Sequence, residues 1–582
     1  MSTTGEKLSC RWRVMSIGIL LVIYAALSAC SSEVAVAAPD PDEVVVKLRG
    51  LDPKVRMATG RVIETGETAT LKQGGLSFRA CGNGQNISVW APGYYIKTLT
   101  CNGSVPGYYE LSMDRLDAAD NPNYRWVSAT DSSLGCARCH SDGAKLNEYH
   151  EWTPDGHPRS FASPLFWATY MGTNANQIAG QKTIWGFSPD GNRYRLPPDP
   201  NQPDYGPGYQ LDYPDSNGNC AFCHAPTSVG PTRDEVDLVP FISSLWGAQP
   251  TMATEGVTCD VCHKAIDVIL DEQGLPYADR PGILSFSFLR PNTGGQFVAG
   301  PWSHLTTSVP DMRHTCYPIF SESSFCAACH YAKFSGVEVY ASYKEWLQSP
   351  YSKPDENFRS CQDCHMQASQ SVDWTAPATR SACSPESTPL QSFSHNMMRR
   401  DNIGDPILIQ RAATVGISAI REAGKIKVNV NVVNSAAGHK FPTDSPLRHL
   451  ILVVEARDQN GVALSQVDGP RIPDWGGTGS SSQDYAGRPG VIYANILKDK
   501  DTSMVPAAAY WNPTIPAWQG SDTRLLPGED TPSQYFFVAP SQGIATITAQ
   551  LFYRNAFIDL LRKKGLQPQD LLVNWAVYEL PE

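Results

Sequence analysis

At 582 residues the chain exceeds a single small module, so a few domains are expected. Charged residues make up 18% and aromatic residues 10%, with 46 Gly and 45 Pro, a balance that suits a loop-rich protein. The net charge of −11 becomes −13 without residues 1–29, which argues against nucleic acid as a partner and for basic partner proteins or plain solubility.

The first 29 residues read as a targeting segment rather than as structure. Lys7, Arg11 and Arg13 make a basic start, and an apolar run follows from Val14 to Leu27. That run is shorter than the ~20 residues a spanning helix needs. Leu27-Ser28-Ala29-Cys30 resembles a bacterial lipobox, and the resemblance implies cleavage before Cys30 and lipidation of its thiol. Ser31 rather than Asp after that cysteine favours the outer membrane, with the protein facing the periplasm or the cell surface. Residues 30–42 are small and contain Pro, as expected of a tether.

Residues 43–130 hold short β-leaning pieces (Val44 to Leu48, Ser88 to Trp90, Tyr94 to Thr98) between Gly and Asn turns, a small N-terminal β subdomain. Residues 131–405 are organised by one repeated pattern. It occurs as Cys136-Ala-Arg-Cys139-His140, Cys220-Ala-Phe-Cys223-His224, Cys259-Asp-Val-Cys262-His263, Cys326-Ala-Ala-Cys329-His330 and Cys361-Gln-Asp-Cys364-His365. C-x-x-C-H is the attachment signature of c-type haem: two thiols form thioethers to the porphyrin and the next His reaches the iron. Zinc and dithiol redox pairs also use C-x-x-C. With only 12 His in the chain, a His after all five pairs is beyond chance and points to five covalently bound haem c. The haem region is expected to be loop-rich with few helices, among them Ala162 to Tyr170 and Val339 to Leu347.

Cysteine counting agrees with export. Of 16 Cys, ten belong to the motifs, Cys30 to the lipid site and Cys10 to the leader, which leaves Cys81, Cys101, Cys316 and Cys383. An even remainder in an oxidising compartment reads as two disulfides. Of three possible pairings, Cys81–Cys101 with Cys316–Cys383 is the most local.

Residues 406–582 contain no Cys and change character. Ile426, Val428, Val430 and Val432 alternate with polar neighbours, as in a half-buried strand, whereas Leu450 to Val454 is continuously apolar, as in a strand buried on both faces. Tyr535 to Val538, Thr546 to Phe552 and Leu571 to Tyr578 complete a β-sandwich-like C-terminal domain, with an amphipathic helix in Asn555 to Lys564. A Gly- and aromatic-rich insertion, roughly Asp468 to Gly528, is expected to cover the sheet or a haem.

The proximal iron ligands are His140, His224, His263, His330 and His365 by motif. Among the other seven, His157, His314, His395 and His439 are the candidates for the far side of an iron. His449 reads as a packing residue, and His150 and His304 as surface loop residues. A second His closes an iron for electron transfer, whereas an open position permits chemistry.

The motif run, the Gly438–Thr443 segment and the β-rich C-terminus resemble bacterial multihaem c-type cytochromes, including the tetrahaem carriers of ammonia oxidisers and the lipoprotein cytochromes of metal reducers. In that family a Trp-x-x-Ser-x-His stretch often supplies a distal His. Here Trp346-Leu347-Gln348-Ser349-Pro350-Tyr351 has Tyr351 in its place, to ligate, to leave an iron open, or to pack on a porphyrin edge. The resemblance implies an exported respiratory carrier of single electrons that hands them to redox partner proteins or to extracellular or periplasmic acceptors. Mostly bis-His ligation would give low potentials. Two other readings stand beside it: a reductase or oxidase of a small inorganic substrate with one open haem, and a subunit of a conductive filament. There is no C-x-x-C-Lys motif of the nitrite-reductase sort.

Overall fold

Alternating burial builds the N-terminal part. The computed structural model describes residues 43–104, 106–117, 119–131, 135–141, 147–245, 251–292, 296–305, 312–366, 382–385, 393–398 and 407–582. The leader, the lipid site Cys30, the tether and the junction at 405 lie outside the described residues. Val44–Arg49 lies between Gly75–Phe78, antiparallel, and Gly107–Ser112, parallel. A four-stranded sheet runs Thr68–Thr70, Thr59–Val62, Asn86–Trp90, Lys97–Thr100. Val44, Val46, Val62, Leu76, Ile87 and Val89 form a sealed core between the two, beside the Cys81–Cys101 disulfide. Gly60 is required there, because a Cβ would stand 2.7 Å from Leu76 and 2.9 Å from Phe78. The expected strand over Tyr94 to Thr98 begins only at Lys97, since Pro92-Gly93 turns the chain just before it, with Gly93 at φ +81°.

The middle of the chain is built from short helices and two-stranded sheets. The expected helix from Ala162 to Tyr170 is found as Pro164–Met171, capped by the Ser163 hydroxyl. Val339 to Leu347 is a correction: Val337–Tyr340 is a strand paired with Ala332–Phe334, and the helix is confined to Ser342–Leu347. Valines at alternate positions after the Ser335-Gly336 turn favour the hairpin over a helix. Among the described residues no helix is long and apolar enough to cross a membrane.

The C-terminal part holds two four-stranded antiparallel sheets. One runs Thr414–Glu422, Lys425–Val433, Asp530–Val538, Gln466–Asp468; the other runs Gly490–Ala494, His449–Asp458, Ala545–Arg554, Asp570–Leu580. Ile426, Val428, Val430 and Val432 are all 0% exposed and meet Leu450, Leu452 and Val454 in one core. Each such side chain contributes about 1.5–3 kcal/mol by burial. Ile451 and Val453 face the opposite way, onto Ile472, Tyr485 and Ile492. The insertion therefore covers the outer face of this strand, and it also supplies the edge strand Gly490–Ala494, more than the loop expected of it.

This part is tied to the middle of the chain by polar contacts of little-exposed groups. Arg195 bonds Asp499 at 2.7 Å, Asp212 accepts from Trp511 and Asn512, and Arg524 pairs with Glu345 at 2.8 Å. Lys564, fully buried, donates to the carbonyls of Ala168 and Pro207.

Candidate functional site

Each motif folds as a single helical turn: Ala137–His140 after Cys136, Cys220–His224, Cys259–Lys264, the end of Ser324–His330, and Cys361–His365. On a helix, residues three and four apart share a face, so both thiols and the imidazole of every motif point to one side. The Cys361–His365 turn is closed by a capping box between Ser360 and Asp363. The other four have no side-chain cap and are held by their surroundings.

Three motif histidines face a second histidine across a gap. Ring centres lie 6.4 Å apart for His330 and His157, 6.2 Å for His263 and His395, and 6.4 Å for His365 and His439. Two imidazoles on one metal, each nitrogen about 2 Å from it, have ring centres roughly 6 Å apart. His314 lies on the Met312–Cys316 strand, within electrostatic reach of both His140 and His263.

Seven of these histidines also have the outer ring nitrogen held. His263 donates from Nδ1 to the Ala299 carbonyl at 2.7 Å, His224 to Ser160 at 2.9 Å, His365 to Met397 at 3.1 Å, and His439 to Lys440 at 2.8 Å. Carboxylates take this place at His140 (Glu148, 2.8 Å), His330 (Asp444, 3.0 Å) and His157 (Asp155, 2.7 Å). With Nδ1 so engaged, Nε2 is the nitrogen free to ligate. Burial pushes His314, His365 and His395 down to about 4, which keeps them in the neutral form a metal needs. Burial acts the same way on His330, but the Asp444 hydrogen bond and charge outweigh it and raise the group to about 9.

The sulfurs give the spatial order of the motifs. Cys136 adjoins Cys259, Cys223 adjoins Cys329, and Cys326 adjoins Cys361. Cys262 is within electrostatic range of Cys326 and Cys329. The first motif thus neighbours the third, the third neighbours the fourth, and the fourth neighbours both the second and the fifth. Sequence order does not carry this arrangement. Ser323 and Glu322 fasten the fourth turn to the fifth, the hydroxyl accepting from the Cys361 backbone and the Glu322 carbonyl from Gln362.

The remaining residues of interest fall as follows. His449 is 0% exposed between Phe557 and Trp475, as a packing residue. His150 is exposed, on the Glu148–Trp152 helix. His304 is a correction: it is 1% exposed, drawn inside where Ser303 reaches its Nδ1 and Leu305 bonds Ser88 and Thr98 of the N-terminal sheet. Tyr351 lies beside Cys364 and against Gly438, and the ring facing His365 is His439. Both disulfides, Cys81–Cys101 and Cys316–Cys383, are formed as the most local pairing anticipated. Asp444 and Asp155 were not singled out from sequence; the only signal is that Asp444 directly follows the Gly438–Thr443 segment.

The donor set fits a c-type haem in each of the five places: paired thiols and an imidazole on one face of a turn, and in three places a second imidazole at a bis-His spacing. A zinc centre needs four convergent ligands; among the described residues no three His, Cys, Asp or Glu converge in this way. No protein-family model and no curated protein matches the chain. Among solved structures, a penta-heme cytochrome c552 from Thermochromatium tepidum is similar at 20% identity and a TM-score of 0.47, over 77% of this chain and 97% of that one. A likeness of that degree carries no argument about function.

Proposed function

We propose that the chain is an exported pentahaem c-type cytochrome that carries single electrons across or outside the cell envelope in respiration. The observation that carries this reading is the set of three facing histidine pairs at 6.2–6.4 Å, each built on a C-x-x-C-H turn. Haem iron, when bound, supplies one-electron exchange between its ferric and ferrous states.

The residues divide the work simply. Cys136, Cys139, Cys220, Cys223, Cys259, Cys262, Cys326, Cys329, Cys361 and Cys364 fix the porphyrins. His140, His224, His263, His330 and His365 take the proximal position. His157 serves opposite His330, His395 opposite His263, His439 opposite His365, and His314 opposite His140. The adjoining sulfurs support a path from the first haem through the third to the fourth, where it forks to the second and the fifth. A lipid on Cys30 would hold the protein at the outer membrane, and residues 406–582 would form a β-sandwich-like domain bracing the haem region.

The test is direct. A pyridine haemochrome assay and the intact mass of protein from an oxidising compartment should give five haems per chain, with a mass that begins at acylated Cys30. Colourless protein, without the porphyrin increments, would overturn the reading.

A further inference from the structure

Residues 393–398 form no helix or strand, yet they touch three of the histidine sites. The His395 ring faces His263, and its backbone N–H donates to Glu151 at 2.8 Å. The other two sites meet at a single peptide group, the one between Met397 and Met398. Its carbonyl accepts from His365 Nδ1 at 3.1 Å, and its N–H donates to Asp155 Oδ2 at 2.8 Å. Asp155 is 0% exposed, and its other oxygen is also engaged: Oδ1 accepts from His157 Nδ1 at 2.7 Å and from the His157 backbone N–H at 3.0 Å.

Three hydrogen bonds thus run unbroken from His157 Nδ1, through the carboxylate and the peptide group, to His365 Nδ1. His157 faces His330 and His365 faces His439, so the run joins the outer side of one histidine pair to the outer side of another. Glu148 behind His140 and Asp444 behind His330 each serve one imidazole only. The middle member of the run is a resonant amide. A carboxylate drawing on its N–H pushes electron density onto its carbonyl oxygen, and hydrogen bonds in series polarise one another. The Met397 carbonyl is therefore a stronger acceptor for His365, and both imidazoles become stronger donors to a metal. A carboxylate is needed at position 155 because both oxygens accept. A carboxamide has one acceptor oxygen and would turn its NH2 against an N–H at the other end.

We propose that Asp155 is a positioning residue for two haems at once, lowering the potential of the fourth through His157 and of the fifth through the Met397–Met398 peptide. This rests on the pentahaem reading and adds to it a coupled pair of haems. A change of charge on one iron repolarises the run and is felt at the other, and the effect is reciprocal. The same two motif turns are fastened directly as well, by the Cys361 N–H to Ser323 at 3.0 Å, so the run spans sites already held at a fixed separation.

The experiment uses the intact holoprotein, and the haem count comes first, since fewer than five haems would fail the pentahaem reading itself. Electron paramagnetic resonance then separates the two sites. The His330 and His157 planes cross at 69°, and crossed imidazoles give a highly anisotropic low-spin signal. The His365 and His439 planes lie at 19°, and near-parallel imidazoles give a rhombic one. In a redox titration followed at both signals, Asp155→Asn should raise both midpoints. The anisotropic one should shift by about tenfold in its one-electron equilibrium, about 59 mV, and a rhombic one by less. Asp444→Asn, which acts on the same haem from His330, should leave the rhombic midpoints where they were. Met398→Pro deletes the N–H in the middle of the run and leaves Asp155 and His157 in place. It should raise a rhombic midpoint, and it decides the matter if Asp155→Asn does not hold its haems. Movement of the anisotropic signal alone in Asp155→Asn would overturn the coupling while leaving the carrier reading intact. So would an unmoved rhombic midpoint in Met398→Pro, or a rhombic shift of equal size in Asp444→Asn.

Discussion

His449 shows how little separates a ligand from a packing residue at the level of one side chain. Its Nδ1 donates to the Leu447 carbonyl at 3.0 Å, and its Nε2 is buried without a hydrogen-bond partner. Burial lowers the group to about 3, far below the ordinary imidazole value of 6.5. The folded protein therefore holds it neutral, and the unfolded chain binds a proton that the folded one does not at any pH between those two values. Stability from this group is complete above 6.5 and is lost as pH falls towards 3. Between about pH 7 and pH 5 the loss amounts to about 2 kcal/mol. His449→Phe should remove that part of the pH dependence; denaturant midpoints of wild type and variant at the two pH values would show it, and equal slopes would refute it. Its place at the head of an apolar run made this role legible in the sequence. The burial of His304 was not, because nothing local in Trp302-Ser303-His304-Leu305 states that the N-terminal sheet will close over it.

Legibility at the scale of elements follows length and periodicity. Lys425–Val433 buries every second residue at 0%, and that alternation is plain in the sequence. The motif turns are equally plain, since the chemistry of attachment dictates their spacing. Between the motifs, elements of three to six residues such as Val337–Tyr340 and Ser342–Leu347 are too short to set up a period. Their form depends on what they pack against, so a strand and a helix fused into one expected helix. The Cys316–Cys383 bridge compensates for this weak local specification by closing a loop with a sequence separation of 67 residues that contains the fourth and fifth motifs. Loop-closure entropy assigns such a bridge about 4 kcal/mol. Replacing both cysteines by Ser should cost at least about 2 kcal/mol of that, given the strain and residual structure that usually reduce it. The check is the denaturant midpoint; an unchanged midpoint would mean that the segment is held without help from the bridge.

For the molecule as a whole, the decisive feature is that the fork and the strongest outer-sphere charge coincide. In the proposed pentahaem chain, the fourth haem would neighbour three others through Cys326 and Cys329. Both of its histidines are backed by little-exposed carboxylates, His330 by Asp444 and His157 by Asp155, whereas His263, His365 and His439 are backed by neutral carbonyls. A carboxylate behind a ligating imidazole makes it a stronger donor and favours the more positive, ferric iron, so it lowers the midpoint potential. The fourth haem should therefore have the lowest potential of the five. The haem on His140, backed by Glu148 on one side, should come next. An electron moving from the third haem to either arm must then cross an uphill step at the junction, so the junction sets the rate and the two arms compete for what passes it. Asp444→Asn removes the charge and keeps one oxygen able to accept from His330, at the cost of the bonds that Ser342 donates to the other, and the potential should rise. The rise should be on the order of 60 mV, one tenfold change in a one-electron equilibrium. In a redox titration resolved into five steps, the lowest midpoint alone should move upward, and electron flow from the first haem should quicken. If the variant shifts a midpoint other than the lowest, the carboxylates do not set the level of the junction, and the assignment of Asp444 to that role falls.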